Sequence, residues 1–438
     1  MRRALLTGGA ASLMVVGALA PTAAAQTGGE GCSPDRRNVP VCPFDADLDS
    51  ASFLDPTALV LGARAVSVGE SVYVGPFAEL IADEHSPVSI GSESNVQDNV
   101  VVAGSHELRD EHTGGDTVVE GGPQPTAAPG VEIGERVILA HGSSVIGPAQ
   151  IGVTGGDIAA DPDDDQEVFL SFGSRVDGGV LEKNTGISAL GRVGPGVTLR
   201  SGFLVLPGKD VTTQAEADDP ALGKVRLINE ADVAFNEAVI EVNIEFARTY
   251  TELYREDPSA VRGVNVDPGG TEFNATRDLP SFDGRERAVP GARNRIIGDV
   301  DLADSYGRFN RVSGEDVSLR ADEGETMDVG RIDSMGDEVV FHALEDTDLV
   351  LGDDVTYGDG AIVHGGGRVI LAGDPEEPTV VEDDVTFGDE AIAFRSTIGA
   401  GSTIGERSIV VGTDLAPGTE VPPFTVVING EVFGQVEW

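Results

Sequence analysis

The stretch SLRADEGETMDVGRIDSMGDEVVFHALEDTDLVLGDDVTYGDGAIVHGGG, residues 318–367, repeats an apolar residue followed by glycine at intervals of six. Val329-Gly330 and Met335-Gly336 are two of these pairs, and histidine replaces the glycine at His342 and His364. A six-residue period is typical of a hexapeptide β-helix, in which each hexad forms one short side of a triangular coil. The stretch therefore predicts a parallel β-helix that carries histidine at two repeat positions.

The spacing of these two histidines places them on adjacent coils. Three hexads, which complete one coil, and a four-residue insertion separate Phe341 from Val363. His342 and His364 are thus expected on one face, in strands about 4.8 Å apart, close enough for both imidazoles to bind one metal ion. A structural zinc site has four protein ligands and a catalytic site three. A third ligand must therefore come from elsewhere in the chain.

Composition excludes some classes of protein. The chain has 438 residues, with 75 Asp and Glu against 29 Lys and Arg, and its formal net charge is −46. Such a surface cannot attract phosphate groups, so no nucleic acid partner is expected. Because 40% of the residues are hydrophobic and recur with a period, the acids are interpreted as a solvated coat on a folded protein rather than as disorder. This coat indicates a high-salt environment and favours a halophilic archaeon as the source.

The first residues are typical of an export signal. Residues 1–25 begin with Arg2-Arg3, continue with an apolar run and end in alanines. The protein is therefore predicted to be secreted or bound at the cell surface, without a membrane span. Residues 26–48 are predicted to be a linker, in which Cys32 and Cys42 form a disulfide in an oxidising compartment.

The rest of the chain divides by its period. Residues 49–227 are predicted to form a first β-helix, and 228–257 change to a helical period that indicates a long helix packed along it. Residues 258–290 are rich in proline, glycine and charge and are predicted to be a linker, and 291–438 form a second β-helix. The fold class is therefore all-β, with one α-helix after the first of two solenoids.

An internal alignment links the two solenoids. Residues 317–342 align without gaps on 78–103, and 355–366 align on 137–148. The first solenoid has Ala103 and Ile146 at the two histidine positions of the second, and it has His141 where the second has Asp359.

Hexad counting suggests how the three histidines could meet. Gln97 and His141 fall on one face of the first solenoid, and the face with His342 and His364 is the adjacent one in the second. One triangular coil cannot direct two faces at one metal, so the three histidines can meet only where two solenoids pack side by side. Whether the two solenoids belong to one chain or to two chains stays open, as does a displaced ligand role for His106.

At this point the chain resembles a known family. The segments SNVQDNVVV, ILAHGSSVIGPA, RADEG, VVFHALE and TTQAEAD are similar to those of the γ-class carbonic anhydrases. The resemblance implies left-handed β-helices that form trimers, with each metal between two subunits. It implies His342 and His364 as the ligand pair of one subunit and His141 as the ligand of its neighbour. Zinc is the default metal, with iron(II) and cobalt(II) as alternatives.

The resemblance also assigns roles to other positions. It implies Gln97, Glu323 and Glu345 as catalytic residues, with Gln97 bonded to the reacting water and Glu345 as the proton shuttle. Asn95 and, less directly, Asn243 correspond to pocket residues that contact substrate. Interface roles fall on five further residues, which are Arg320, Asp322, Asp83, Asp98 and Asp337. Of these, Arg320 is expected to pair with Asp83 or Asp98 across the interface.

The function that follows is metal-dependent carbonic anhydrase activity, the reversible hydration of carbon dioxide to bicarbonate. A homo- or hetero-oligomer with trimer-like domain packing is expected, although two solenoids per chain do not close a ring of three by themselves. Two alternatives remain. The first is a catalytically silent scaffold or binding module of the same fold, and the second is a hexapeptide acyltransferase, which the export signal and the segments around His342 disfavour.

Overall fold

The computed structural model describes eight segments of the chain, which are residues 40–43, 45–113, 129–155, 166–267, 293–323, 326–344, 347–366 and 378–438. The predicted export signal, Cys32 and Glu345 lie outside these residues. Cys42 is disulfide-bonded. Within the described segments the chain forms two left-handed parallel β-helices, and the predicted all-β class is confirmed.

The first solenoid has three sheets, one for each side of the triangle. Sheet 1a consists of Val41–Cys42, Ser52–Leu54, Tyr73–Val74, Asn95–Val96, Val137–Leu139, Val168–Leu170, Thr185–Ile187, Phe203–Val205 and Val225–Leu227. Sheet 1b consists of Val66–Val68, Val88–Ile90, Val131–Ile133, Ala149–Gly155, Val180–Lys183 and Thr198–Leu199. Sheet 1c consists of Leu59–Leu61, Glu79–Ile81, Val101–Ala103, Ser144–Ile146, Arg175–Asp177, Arg192–Val193 and Asp210–Val211.

The second solenoid repeats this plan. Sheet 2a consists of Val264–Val266, Arg295–Gly298, Ser318–Ala321, Val340–His342, Ile362–His364, Ile392–Phe394, Ile409–Val411, Thr425–Ile428 and Glu431–Gln435. Sheet 2b consists of Val300–Leu302, Met327–Val329, Leu349–Leu351, Thr379–Val381, Thr397–Ile398 and Asp414–Leu415. Sheet 2c consists of Ile332–Met335, Val355–Tyr357, Thr386–Phe387, Thr403–Ile404 and Glu420–Val421.

The hexad pattern explains these short strands. The apolar residue of each hexad points into the coil, so that Val96, Leu139 and Leu170 stack in register and are fully buried. Burial of such a column stabilises the fold by about 25 cal/mol for each Å² of apolar surface that it removes from water. Neighbouring strands run parallel except at three sheet ends, where Val41–Cys42, Val225–Leu227 and Glu431–Gln435 are antiparallel edges.

Four α-helices accompany the described coils, α1 His106–Thr113, α2 Gln214–Asp218, α3 Glu230–Glu256 and α4 Tyr306–Val312, with 3₁₀ turns at Ala63–Ala65 and Pro220–Leu222. Helix α3 begins after Asn229, whose side chain accepts hydrogen bonds from the amides of Ala231 and Asp232 in a capping box. It packs on the outer side of sheet 1a, where the Tyr250 ring stacks on Phe53 with centroids 5.1 Å apart.

Three short elements depart from the predicted division of the chain. The strand Val41–Cys42 falls in the expected linker 26–48, and Val264–Val266 falls in the expected linker 258–290. Each adds an edge strand to a solenoid, and each is too short to show a period in the sequence. Helix α1 interrupts the predicted first β-helix, between the strands Val101–Ala103 and Val131–Ile133.

The solenoids lie side by side, with sheet 1a toward sheet 2a and their axes parallel. Ion pairs join them near the start, where Arg295 lies 2.6 Å from Asp55, and in the middle, where Arg320 lies 3.0 Å from Asp98. The apolar part of this seam contains Ala140, Phe172, Ala189, Leu190, Val340, Ile362, Ile392, Ile409, Val426 and Val436. The seam therefore brings together residues that are about 200 positions apart in the chain, such as Ala140 and Val340.

Candidate metal centre

The second solenoid contributes two histidines in direct register. Val340–His342 and Ile362–His364 are neighbouring parallel strands, and His342 pairs with His364. The preceding residues Phe341 and Val363 point into the core, so alternation along each strand directs the histidines outward toward the seam. Both side chains are nevertheless buried, at 2% and 5% exposure, because the first solenoid covers them.

The first solenoid contributes His141 from the turn that follows Val137–Leu139. Gly142, the next residue, has φ of +67°, a left-handed conformation that glycine adopts without the steric cost of a Cβ atom. The strand register places Asp98 one coil before His141 and Phe172 one coil after it. Asp98, rather than Gln97, is therefore the coil counterpart of His141.

Three ring nitrogens converge at the seam. His141 Nε2 lies 3.0 Å from His342 Nδ1, which lies 3.2 Å from His364 Nε2. Two imidazoles on a tetrahedral zinc ion, with Zn–N bonds of 2.0–2.1 Å, have nitrogens about 3.3 Å apart. The spacing therefore fits a shared metal ion. Among the described residues this is the one cluster of histidine, cysteine or acidic side chains with metal-ligand spacing.

The other ring nitrogens face acceptors. His364 Nδ1 lies 3.0 Å from the carbonyl oxygen of Gly365, and His342 Nε2 lies 3.2 Å from Glu323 Oε1. His141 Nδ1 lies 3.8 Å from Asp98 Oδ2, beyond hydrogen-bond distance, and has no hydrogen-bond partner. At His364 and His342, an acceptor beside the second nitrogen favours the proton there and leaves the converging nitrogen free to coordinate, as in most histidine metal sites.

The pKa values agree with a site for a cation. Burial, together with the other two histidines, lowers the pKa of His141 well below its ordinary value, and burial likewise lowers that of His364. Burial and Arg320 also lower the pKa of His342, but Glu323 and Asp322 outweigh them and raise it to about 9. Without metal, a positive charge is thus favoured on His342 between two neutral imidazoles.

A buried charged network occupies the coil that precedes the histidines. Arg320 is 1% exposed and contacts Asp98 at 3.0 Å and Asp322 at 2.8 Å. Ser318 donates to Asp98 at 2.9 Å, and Tyr250 of α3 donates to Asp322 at 2.5 Å. Burial raises the pKa of Asp98, although Arg320 opposes this shift. Such a network fixes the register of the two solenoids more than it adds to stability.

Two aromatic side chains occupy the coil that follows the histidines. The Phe172 ring is parallel to His141, with centroids 5.8 Å apart, and lies 4.8 Å from His364. Phe394 follows His364 in register, at 5.3 Å. Hexad counting did not single out these two residues, although both occupy histidine columns one coil further on.

Two of the predicted pocket residues carry buried polar atoms without hydrogen-bond partners. Asn95 is fully buried, and neither its amide nitrogen nor its amide oxygen has a hydrogen-bond partner. Asn243 of α3 donates to the carbonyl oxygen of Val239 at 2.8 Å, while its own oxygen has no partner. Gln97, at 7% exposure, lies in the same turn as Asp98. Buried polar groups need partners, so these atoms indicate room for water or a small polar ligand.

The remaining predicted residues lie elsewhere. Asp83 accepts bonds from the amides of His85 and Ser86 in its own turn, so Arg320 pairs with Asp98 and not with Asp83. Asp337 accepts a bond from the amide of Glu315, within the second solenoid. Both carboxylates therefore make local contacts, although Asn99 of the first solenoid donates to the carbonyl oxygen of Glu338, the residue after Asp337.

Two histidines of α1 contact acids of the first solenoid rather than the metal centre. His106 lies 3.8 Å from Asp177 and His112 lies 3.1 Å from Glu79. Neither belongs to the cluster of three histidines.

These features define a β-helical protein with a three-histidine site at the seam of two solenoids. The chain is 34% identical over 229 residues to a protein named carbonic anhydrase from Methanosarcina thermophila, covering 49% of this chain and 81% of that protein. The chain therefore belongs to the γ-class carbonic anhydrase family, as its sequence motifs predicted.

Further comparisons are weaker. The carboxysome assembly protein CcmM of a Nostoc species is 30% identical over 108 residues, which are 25% of this chain and 17% of that protein. A crystal structure of a hexapeptide transferase family protein from Anaplasma phagocytophilum is 16% identical, covers 46% of this chain and 93% of its own, and has a TM-score of 0.23. No protein-family model matches the chain.

Proposed function

We propose that this protein is a metal-dependent carbonic anhydrase that hydrates carbon dioxide reversibly to bicarbonate, at one site built from both solenoids of one chain. The observation that carries the proposal is the convergence of His141 Nε2, His342 Nδ1 and His364 Nε2, with neighbouring nitrogens 3.0 and 3.2 Å apart. Membership of the carbonic anhydrase family supports the reaction, and three imidazoles are the ligand set of a catalytic rather than a structural zinc site.

A divalent metal, zinc by default and iron(II) or cobalt(II) as alternatives, would supply a nucleophilic hydroxide at neutral pH when bound by three imidazoles. The residues of the chain prepare the site for this chemistry. Glu323 and the Gly365 carbonyl hold protons on the outer nitrogens of their histidines. The Phe172 side of the centre is apolar and excludes water, as suits an apolar substrate such as carbon dioxide.

Polar groups in the proposal have three tasks. Asn95 would donate a hydrogen bond to substrate or product from its unpartnered amide nitrogen, and Asn243 would accept one at its unpartnered amide oxygen. Gln97 would orient the attacking water. Glu345, which lies outside the described residues, would carry the proton to solvent, as the family resemblance implies.

The proposal is tested by metal content and activity together. Protein purified anaerobically in high salt is dialysed, its metals are quantified, and carbon dioxide hydration is followed by stopped-flow with a pH indicator. We expect about one metal ion per chain, as for any site with three protein ligands, and hydration that His364→Ala abolishes. Retained metal without hydration would contradict the catalytic function. A protein with neither would be a silent scaffold of the same fold.

Location and assembly belong to the same proposal. The signal-like residues 1–25 support export, and the net charge of −46 supports a high-salt environment, as in a halophilic archaeon. Among the helices of the described residues, none combines the length and the apolar character needed to cross a membrane. We further propose an oligomer in which solenoids pack as in a trimer. N-terminal sequencing of secreted protein and light scattering in high salt would test these points.

A further inference from the structure

We infer that residues 436–438, here named the clasp, position the metal centre by tying the end of the second solenoid to the coils of the first solenoid that lie above His141. The inference rests on the proposed metal site, and it assigns to Trp438 a positioning role, since its side chain does not touch the histidines. The clasp follows the edge strand Glu431–Gln435, the last of sheet 2a.

Glu437 gives the clasp its polar attachment to the first solenoid. Its amide donates to the carbonyl oxygen of Gly208 at 2.8 Å. Its carboxylate lies 3.0 Å from Lys209 Nζ and 3.1 Å from Lys224 Nζ, and it accepts a bond from the amide of Asp210 at 3.2 Å. Four contacts from one residue to the other solenoid leave it little freedom to move independently.

Trp438 extends this attachment toward the centre. Its indole Nε1 donates to the carbonyl oxygen of Leu190 at 2.8 Å, across the seam. The guanidinium of Arg407 lies 4.3 Å from the ring centroid and that of Arg192 lies 5.8 Å from it. Arg407 belongs to the second solenoid and Arg192 to the first, so the indole is held by cation–π contacts from both.

A short path of contacts leads from the clasp to the metal centre. Leu190 donates its amide to the carbonyl oxygen of Phe172 at 2.9 Å, as the next coil along the solenoid. The Phe172 ring lies parallel to His141, with an interplanar angle of 11°. At the other end, the amide of Val436 donates to the carbonyl oxygen of Phe424, which keeps the clasp on the second solenoid.

This path of contacts matters because the metal ligands come from two different solenoids. A metal held by His141 on one side and by His342 and His364 on the other binds tightly only when the solenoids hold their relative position. Losing the clasp would leave the ligands intact but allow the seam to open at its far end. Substitutions outside the ligand set that disturb ligand orientation weaken metal binding by about 10–100-fold.

The test compares Trp438→Ala with Phe433→Ala in the full chain. Phe433 is an aromatic residue of the same strand-and-tail segment, but it is 47% exposed, which makes it a matched control. Zinc and cobalt(II) dissociation constants are measured by chelator competition. Trp438→Ala is expected to raise them about tenfold, with a cobalt absorption spectrum that still reports three nitrogen ligands. Trp438→Phe, which keeps the ring, should recover part of the affinity, and Phe433→Ala should not change it.

A second readout does not depend on metal. Hydrogen exchange of metal-free protein should become faster in 137–142 and 188–190 in Trp438→Ala, and circular dichroism should show the solenoids still folded. If wild-type protein binds metal and Trp438→Ala binds it equally well, the clasp has no positioning role and the inference is overturned. If wild-type protein binds no metal, the proposed function fails instead, and unchanged exchange in the variant would then refute the clasp separately.

Discussion

The two solenoids align residue by residue, yet each keeps the opposite half of one metal site. The first keeps His141 and has Ala103 and Ile146 at the other ligand positions, whereas the second keeps His342 and His364 and has Asp359 in place of the third. Each solenoid retains a ligand only on the face that it presents to the other. The comparison teaches that a histidine is retained where its position faces the other solenoid, and not at every equivalent position of the repeat.

At the three positions where a solenoid lacks the ligand of the other, different residues are found. Ala103 and Ile146 are fully buried in an apolar cluster with Ile81, against which Leu108 of α1 packs. Asp359 is exposed and accepts a hydrogen bond from the amide of Asp337 at 3.0 Å. The two positions of the first solenoid have thus become core, and the one of the second solenoid lies in a solvated turn.

The same contrast separates pairs of identical residues. Asp98 and Asp337 are aligned, but Asp98 is fully buried against Arg320 while Asp337 is exposed. Glu323 and Glu84 are aligned as well, and Glu323 is 4% exposed beside His342 while the side chain of Glu84 is 89% exposed. These pairs provide matched controls within one molecule.

The largest effect is expected from the ligands themselves. His141→Ala and His342→Ala should each remove metal from the protein, because a site of two histidines lacks the three ligands of a catalytic zinc centre. The loss of affinity should exceed the roughly 10–100-fold typical of outer-shell substitutions. Metal analysis after dialysis measures it, and His85→Ala, whose side chain is 84% exposed, serves as the control.

Mixing the two inactive variants sharpens this result. With all three ligands in one chain, a mixture of His141→Ala and His342→Ala should bind no more metal than either variant alone. Recovery of metal in the mixture would instead mean that the site forms between chains.

A smaller effect is expected from the buried ion pair. Asp98→Ala leaves the Arg320 guanidinium with Asp322 alone, in a site with 1% exposure, and should reduce the free energy of unfolding by about 3 kcal/mol. Asp337→Ala removes only an exposed carboxylate that accepts from the Glu315 amide, and should cost about 1 kcal/mol or less. Urea unfolding at constant high salt measures both. Equal losses in the two variants would contradict the contrast drawn between the solenoids.

Restoring the missing ligands in the first solenoid should not create a second site. Ala103→His and Ile146→His place imidazoles in an apolar cluster, and each should destabilise the protein by about 1–3 kcal/mol. Metal content should stay at its wild-type level, because the described part of the two solenoids provides no third histidine in a ligand cluster with that face. Thermal unfolding and metal analysis of the double variant test both parts, and an additional bound metal would show that the face is still competent.

The sequence predicted the solenoids because a six-residue period recurs along both, and it predicted the opposite ligand halves because the two segments that carry the histidines each align without gaps. It could not decide between Asp83 and Asp98 as partners of Arg320, since both carboxylates lie near equivalent turns and only the packing of the solenoids selects one. Phe172 and Phe394 were missed for a related reason. Their position above the histidines depends on strand register in each solenoid and on the seam that joins them.

The smallest effect is expected on metal affinity, when Glu323 and its aligned counterpart Glu84 are each replaced by glutamine. Glu323 Oε1 lies 3.2 Å from His342 Nε2, where it holds the proton that keeps Nδ1 free for a metal. Glu323→Gln keeps the size of the side chain but replaces a charged acceptor by a neutral one, so metal affinity should fall about tenfold. Chelator competition measures this change, and Glu84→Gln, at an exposed turn, should leave the dissociation constant unchanged. Because the two substitutions are chemically identical and occupy aligned positions, a difference between them reports only on the seam. An equal effect at both positions would mean that net charge, rather than the contact with His342, sets the affinity.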